Sequence, residues 1–336
     1  MISILTNAPI RYENNKILSL ITVLFLITPG LKSQERSVED IFDVLDMNSW
    51  YLPSDDSKAK LYVTSIGHGD TVVSLHGGPG NNFYYLVDAF RNNTHSNCFL
   101  LYDQRGSLLS RVPDSIANTL NLMVLVEDLE QLRIETGQNK LTLFGHSFGS
   151  MVVLFYYIKY PGNVKKLILT GAMPPYLSKG SSFGDFIKVI HSRLRSLRER
   201  PEVEAVLRDE GLWEEVKLSA QELSNRYKIT GLASFNMMDL RNWRKFKGGR
   251  AFFNPMTESA IGSSIPDYYD IRNTLKDFPV PIHIIQGKED YVPVDSWLEL
   301  SRIFENVKVH LVENSSHYIW LDKPKEFSEL LDNSLK

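Results

Sequence analysis

Apolar and polar positions alternate in blocks along most of the chain. Continuously apolar runs occur at 71–75 (TVVSL), 98–102 (CFLLY) and 141–145 (LTLFG). Before the third run, residues 122–135 (LMVLVEDLEQLRIE) place apolar side chains three and four positions apart, as an amphipathic helix does, and stop just short of Gly137. Alternating strands and helices with unbroken apolar strands predict an α/β protein with a mostly parallel central sheet and helices on both faces.

Two neighbouring strand-like runs precede this pattern, at 60–66 (KLYVTSI) and 71–77 (TVVSLHG). The sequence Gly-His-Gly-Asp at 67–70 separates them, and such residues are typical of tight turns. The sequence therefore predicts that these two strands form a hairpin.

The alternation is interrupted between residues 176 and 264, where the chain is polar and helix-like with few strand patterns. It resumes at 280–287 (VPIHIIQG) and 307–313 (VKVHLVE). We therefore predict one α/β unit in two parts, 34–175 and 265–336, with a helical insert at 176–264 between two of the later strands.

The N-terminal region carries an apolar run at 17–29 (ILSLITVLFLITP) behind Lys16. The run is shorter than the roughly 20 residues that a membrane-spanning helix needs, and it suits the apolar part of a secretory signal peptide. With small residues at Gly30 and Ser33, the sequence predicts a signal peptide over 1–33, export to the periplasm or medium, and no membrane span after processing. A buried N-terminal helix and an uncleaved membrane anchor are the alternatives.

The composition argues against several kinds of binding partner and of site chemistry. The 336 residues include 37 Lys and Arg against 40 Asp and Glu, and a net charge of −3 creates no field that would attract nucleic acid or anionic lipid. Cys98 is the only cysteine, so no intramolecular disulfide forms, and neither His-Glu-x-x-His nor paired cysteines indicate a metal site. We expect a small peptide, ester or amide as substrate, no nucleic-acid partner, no metal and no cofactor. Nothing in the sequence indicates the oligomeric state.

A candidate nucleophile lies where the third apolar run meets a helix-like stretch. Residues 145–149 read Gly-His-Ser-Phe-Gly, the G-x-S-x-G pattern, which in a strand–turn–helix context lifts the serine hydroxyl above the sheet. We therefore predict Ser147 as a nucleophile, in preference to an ordinary helix cap. A serine hydroxyl needs a base to take its proton and an acid to orient that base.

In hydrolases with this serine turn, the acid and then the histidine follow along the chain. His317 lies in the loop after the last strand-like run, where a base can reach across the sheet, and is the predicted base. The loop after the preceding run offers Glu289 and Asp290, of which we favour Asp290 as the orienting acid.

The glycine-rich stretch at 76–80 (HGGPG) is suited to bind an oxyanion formed during the reaction. When Ser147 attacks a carbonyl, the oxygen becomes an anion that needs two backbone N–H donors, one following the nucleophile and one from an earlier loop. Phe148 is the predicted first donor and Gly78 the second, with Gly77 as the alternative to Gly78. A phosphate-binding loop is the rival interpretation, but no Gly-Lys-Ser/Thr follows.

Five motifs in this order, HGGPG, YDQRGS, GHSFGS, GKEDYVP and SSH, resemble those of α/β-hydrolases and, more narrowly, of the proline iminopeptidase family of serine peptidases. The resemblance implies an α/β-hydrolase fold, a triad of Ser147, Asp290 and His317, and a cap over the active site at 176–264. It implies an aminopeptidase that releases N-terminal proline or small residues from short peptides by an acyl-enzyme mechanism. Asp103 and Arg105 of the DQRG motif would brace the loops behind the site.

The family holds the substrate's ammonium group with cap carboxylates in a tryptophan–glutamate pattern that this sequence lacks. The nearest acids to an aromatic are Glu214 and Glu215 beside Trp213, which are candidate ammonium ligands or else part of a solvated helix face. A carboxylesterase or lactonase with the same triad is the alternative function, because several cap aromatics and methionines would suit an apolar acyl pocket. A non-catalytic binding protein is disfavoured by the complete set of catalytic residue types.

Overall fold

The computed structural model describes residues 48–177, 182–246 and 253–336 of the chain. The predicted signal peptide over 1–33 lies outside the described residues. Within the described ranges, no helix is both long enough and apolar enough to cross a membrane.

An eight-stranded sheet forms the centre of the described part of the chain. Its strand order is β1-β2-β4-β3-β5-β6-β7-β8; β2 pairs antiparallel with β1 and β4, and every later pair is parallel. The strands are β1 (Trp50–Pro53), β2 (Lys60–Gly67), β3 (Asp70–Leu75), β4 (Asn97–Tyr102), β5 (Leu141–His146), β6 (Val164–Thr170), β7 (Ile282–Gly287) and β8 (Val307–Val312).

Helices connect the strands and cover the sheet. Those before β6 are α1 (Leu86–Phe90), α2 (Asp114–Ala117), α3 (Leu122–Glu135) and α4 (Phe148–Lys159). Between β6 and β7 come α5 (Phe183–Arg198), α6 (Pro201–Asp209), α7 (Ala220–Lys228), a π-helical turn (Ile229–Ala233), α8 (Ser234–Asn236), α9 (Pro255–Gly262) and α10 (Arg272–Asp277). The chain ends with α11 (Asp295–Ile303), α12 (Ile319–Asp322) and α13 (Pro324–Leu335), and short 3₁₀ turns lie at Pro161–Asn163, Glu215–Lys217 and Leu240–Lys245.

Side chains of the central strands alternate between two apolar clusters because successive residues of a strand point to opposite faces. On β5, Leu143 belongs to the cluster that includes α3 and α4, whereas Phe144 belongs to the cluster that includes α1 and α13. Both side chains are fully buried. The predicted α/β architecture, with helices on both faces of a mostly parallel sheet, is confirmed.

The predicted hairpin between β2 and β3 is wrong, because β4 lies between them, antiparallel to β2 and parallel to β3. The glycines of the intervening turn serve a different purpose. A Cβ on Gly69 would lie 2.1 Å from the carbonyl oxygen of Ser96, and one on Gly67 would lie 2.3 Å from that of Asn97. The turn therefore needs glycine so that it can pack against the segment that leads into β4.

The insert between β6 and β7 is anchored at its base and begins its helices with local caps. Tyr176 and Asp270 form an isolated antiparallel bridge that joins the two ends of the insert. Ser182 and Asp185 form a reciprocal capping box at the start of α5, and the side chain of Asn254 accepts two backbone N–H bonds at the start of α9. These caps fix where α5 and α9 begin, and both helices contribute to the cavity described next.

Candidate active site

Ser147 occupies the turn between β5 and α4 with φ 53° and ψ −123°. A positive φ at a non-glycine residue costs on the order of 1–3 kcal/mol and persists only where the surroundings enforce it. The turn is tightly packed: a Cβ on Gly149 would lie 2.4 Å from the carbonyl oxygen of Leu75, and one on Gly145 would lie 2.8 Å from Cα of Ser150. The two glycines of the G-x-S-x-G pattern are therefore required by close backbone packing.

His317 and Asp290 form a buried pair. The imidazole Nδ1 lies 2.9 Å from each carboxylate oxygen, and the two side chains are 2% and 1% exposed. Bonding to both oxygens fixes the ring orientation and keeps the proton on Nδ1, which leaves Nε2 free to accept a proton. His317 also lies on the wall of the cavity that contains Ser147.

Of the two adjacent carboxylates in the loop after β7, Asp290 faces His317 and Glu289 faces elsewhere. Glu289 accepts a hydrogen bond from the backbone N–H of Ser315 at 3.0 Å, which ties its loop to the one that carries His317. Asp290 also accepts the N–H of Val292 at 2.9 Å. Asp290 therefore contacts the imidazole, whereas Glu289 holds the two loops together.

The HGGPG loop positions one backbone donor towards the cavity. His76 is fully buried, and its Nε2 accepts the backbone N–H of Gln104 at 3.1 Å, so Nδ1 carries the proton and donates to the carbonyl of Gly77 at 3.0 Å. Because a trans peptide is planar, holding that carbonyl on His76 turns the N–H of Gly78 to the opposite side. The N–H of Gly77 is engaged by the hydroxyl of Tyr85 at 2.6 Å. These contacts favour Gly78 over Gly77 as an oxyanion donor.

The second expected donor, Phe148, opens α4. The first N–H groups of a helix have no intrahelical acceptor, so the Phe148 N–H is available to a ligand. The adjacent His146 is 1% exposed, and its Nδ1 lies 2.6 Å from the hydroxyl of Tyr85. Burial, the nearby His317 and His76 hold the pKa of His146 well below its ordinary value, so this imidazole is a neutral packing group.

A cavity of about 800 Å³ opens above Ser147. Its lining combines aromatic and aliphatic side chains with charged or titratable ones. The apolar side chains include Leu194, Leu232, Phe235, Phe246 and Phe253; the charged or titratable ones include His191, Arg195, Arg198, Glu199 and Glu258. Partial burial raises the pKa of Glu258, and the neighbouring His191 opposes that rise.

Glu214 and Glu215, the acids singled out from the sequence, are not brought to this cavity. Both are exposed; Glu214 pairs with Lys217 at 2.5 Å, and Glu215 lies 3.8 Å from Arg226. Two other acids of the insert, Glu199 and Glu258, do line the cavity, and both were missed. For Glu258, the sequence shows only the Asn-Pro helix start at 254–255, and this start does not reveal that the helix lines the cavity.

Tyr291 is a second residue that sequence reasoning missed. Its ring packs against that of His317 with centroids 4.4 Å apart and the planes tilted by 37°, and it meets the ring of Phe235 edge-on at 5.8 Å. Burial and the adjacent Asp290 carboxylate raise the pKa of its phenol well above the ordinary value, and an interaction with the Ser147 hydroxyl opposes the rise. Tyr291 therefore forms the wall beside the imidazole as a neutral phenol.

Asp103 and Arg105 lie behind the site. Asp103 accepts the backbone N–H groups of Phe83 and Leu109 at 3.1 and 2.8 Å, and burial raises its pKa to about 7. Arg105 forms a bidentate pair with the buried Asp128. Both residues hold loops together, and in the described residues no group of three or more His, Cys, Asp or Glu side chains could hold a metal ion.

Comparison with known proteins places this geometry in a family. Residues 70–324 match the profile of the alpha/beta hydrolase fold. The chain is 28% identical over 275 residues to a proline iminopeptidase of Saccharolobus solfataricus, covering 79% of this chain and 84% of that protein.

Solved structures give the same result for the fold. A proline iminopeptidase-related protein from Thermus thermophilus superposes with a TM-score of 0.58 at 21% identity, covering 85% of this chain and 96% of that one. An esterase from Exiguobacterium antarcticum superposes with a TM-score of 0.58 at 23% identity, covering 85% and 99%. At these identities the structural likeness shows the fold alone, and the resemblance to proline iminopeptidases is confirmed by the sequence relative.

Proposed function

The chain belongs to the alpha/beta hydrolase fold family, and on that premise we propose that it is a serine hydrolase whose triad is Ser147, His317 and Asp290. The observation that carries the proposal is the buried His317–Asp290 pair on the wall of the cavity that also contains the strained Ser147 turn. In this arrangement the nucleophile, the base and the orienting acid come from three different loops at one end of the sheet.

The proposed reaction proceeds through an acyl-enzyme. Ser147 Oγ attacks the substrate carbonyl carbon while His317 Nε2 takes the hydroxyl proton, and Asp290 stabilises the imidazolium that results. The N–H groups of Gly78 and Phe148 bind the oxyanion, and losing one such donor typically costs about 3–4 kcal/mol of transition-state stabilisation. His317 then gives the proton to the leaving group as its bond to the carbonyl carbon breaks. Water, activated by His317, releases the acyl group from Ser147.

We propose an aminopeptidase of short peptides as the specific activity. The named sequence relative supports it, and so does Glu258, because a substrate ammonium that enters the cavity needs a carboxylate partner. We therefore assign the ammonium site to Glu258 on α9. Glu199, at the end of α5, is the other carboxylate on the cavity wall.

A carboxylesterase-type acyl hydrolase is the second candidate. The apolar side of the cavity, with Phe235 and Phe253, favours it, since an acyl chain would bury itself there. The triad and oxyanion donors would act in the same way on an ester. The difference between the two candidates is whether a free ammonium group improves the substrate.

Aminoacyl arylamides compared with p-nitrophenyl acetate separate the candidates. For an aminopeptidase, Glu258→Gln should raise KM for the arylamide about tenfold or more, in keeping with the loss of one charge-assisted hydrogen bond, and leave acetate hydrolysis unchanged. Glu214→Gln and Glu215→Gln are the matched controls and should change neither. Rapid ester turnover without arylamide cleavage would establish the esterase instead.

The apolar run at 17–29 supports a further proposal, that the protein is exported. N-terminal sequencing of the protein recovered from the producing cells is the direct test. A mature chain that begins near Gln34 is the expected result, and an intact N-terminus would contradict it.

A further inference from the structure

One stripe of α5 faces the cavity. His191, Leu194, Arg195 and Arg198 are spaced three and four residues apart, so they share one side of the helix, and all four line the cavity. Many arginines of the insert are paired with acids, for example Arg244 with Glu210.

In contrast, within the described residues neither Arg195 nor Arg198 lies within 4.0 Å of a carboxylate oxygen. Glu199 is the acid nearest to Arg198 along the chain, and it forms no ion pair with either arginine. In the part of the chain that the structure describes, the cavity thus has two cationic groups without a direct carboxylate partner.

Arg198 lies on the imidazole side of the nucleophile. Its guanidinium stands 5.1 Å from the centroid of the Phe235 ring, which meets Tyr291 edge-on at 5.8 Å. Tyr291 in turn packs against His317 with centroids 4.4 Å apart. A continuous row of rings therefore leads from the catalytic imidazole to Arg198.

Glu258 belongs to a helix that is anchored on the oxyanion loop. The backbone N–H of Asn254, at the start of α9, donates to the carbonyl of Gly80 at 2.9 Å, and a Cβ on Gly80 would lie 2.3 Å from the Asn254 carbonyl oxygen. Glu258 is one helical turn further along α9. Glu258 is thus tied to the oxyanion loop through α9, and its titratable neighbour is His191 of α5.

The position of Arg198 at the end of the row of rings bears on the leaving group. His317 must protonate the departing amine, so the leaving group lies on the imidazole side, along the row of rings. We propose that Arg198, assisted by Arg195, binds a carboxylate carried by the leaving group. The preferred substrates are then dipeptides and similarly short peptides whose free C-terminal carboxylate lies close to the scissile bond. The inference rests on the proposed serine hydrolase and goes beyond it by naming the leaving-group chemistry.

Two matched substrate pairs test the carboxylate site. The first is a dipeptide, aminoacyl-glycine, against its C-terminal amide; the second is 3-acetoxybenzoate against 3-acetoxybenzamide, in which only the leaving group carries the charge. The wild type should favour the carboxylate member of each pair in kcat/KM by about tenfold, or about 1.4 kcal/mol. Because both arginines are exposed, the preference should shrink as salt rises from about 0.05 to about 0.5 M.

Variants identify the groups responsible. Arg198→Gln should abolish most of the preference by lowering kcat/KM for the carboxylate member of each pair far more than for the neutral member, Arg195→Gln should remove the remainder, and Arg198→Lys should keep part of it. Arg208→Gln is the matched control, because Arg208 also stacks on an aromatic ring, 4.4 Å from that of Trp213, but does not line the cavity.

The outcomes are distinguishable. No preference in either pair for the wild type, or a preference that survives Arg198→Gln together with Arg195→Gln, would overturn the carboxylate site. A preference in the ester pair without any peptide cleavage would support the site and reject the aminopeptidase.

Discussion

The backbone of Gly171 lies directly against the imidazole of His317. A Cβ at this position would be 2.4 Å from Cε1 and 2.7 Å from Nδ1 of the ring, closer than any real contact. Gly171 follows β6 with φ 53°, a conformation that glycine adopts without strain. The imidazole is thus confined by this glycine and by the neighbouring ring of Tyr291, while Asp290 holds its Nδ1.

Gly171→Ala should therefore impair catalysis by displacing the imidazole. Gly137→Ala is the matched control, because Gly137 has φ 65° and a Cβ there would meet no atom within 4 Å. Both variants should lose about 1 kcal/mol of stability from the positive φ, but only Gly171→Ala should lose activity, by at least tenfold in kcat on p-nitrophenyl acetate. Equal activity of the two folded variants would show that the ring is not confined in this way.

Asp290→Asn should lower kcat by up to about 10⁴-fold, because the amide no longer holds the imidazole with its proton on Nδ1. Glu289→Gln should retain kcat within a few-fold, since Glu289 contacts a backbone N–H and not the ring. Steady-state ester hydrolysis, with circular dichroism to confirm folding, measures both. Comparable losses in the two variants would mean that the adjacent carboxylates share the orienting task.

His76 predicts a pH dependence of stability. Burial lowers the pKa of this imidazole to about 4, so between about pH 6.5 and 4 the unfolded chain binds the proton and the folded chain does not. Stability therefore falls as the pH drops through that window, by up to about 1.4 kcal/mol per pH unit from this group. His76→Gln should remove this contribution to the pH dependence of the free energy of unfolding, measured by urea unfolding between about pH 7 and 5. The Asp103 carboxyl, whose pKa is raised to about 7, makes stability increase as the pH falls, but it does so in the wild type and in His76→Gln alike. Identical slopes in the two proteins would contradict the buried neutral imidazole.

Sequence patterns were informative where local chemistry determines the structure. The strand–turn–helix around Ser147 needs two glycines because backbone atoms pack within van der Waals distance, and that requirement is visible as G-x-S-x-G. The alternation of apolar strands and amphipathic helices likewise predicted the sheet, since the central strands contribute side chains to apolar clusters on both of its faces. The glycines at 67 and 69 led to the wrong hairpin prediction. Glycine indicates that another backbone segment packs closely, but it does not indicate which segment.

Long-range packing was beyond sequence patterns. Glu258 and Glu214 both lie on the insert beside helix signals, and only the path of α9 over the oxyanion loop brings one of them into the cavity. Tyr291 and Gly171 flank the imidazole from two different loops; Tyr291 lies within the GKEDYVP motif, but nothing in the sequence indicates that either residue contacts the ring. Such residues are identified by the fold of the whole chain around the catalytic centre.

The most direct test of the account is covalent labelling of Ser147 by a fluorophosphonate, located by peptide mass spectrometry. The serine hydrolase assignment predicts one stoichiometric adduct on Ser147, much slower labelling of His317→Ala, and none of Ser147→Ala. Absence of an adduct on the folded wild type, or an adduct on a residue other than Ser147, would contradict the assignment.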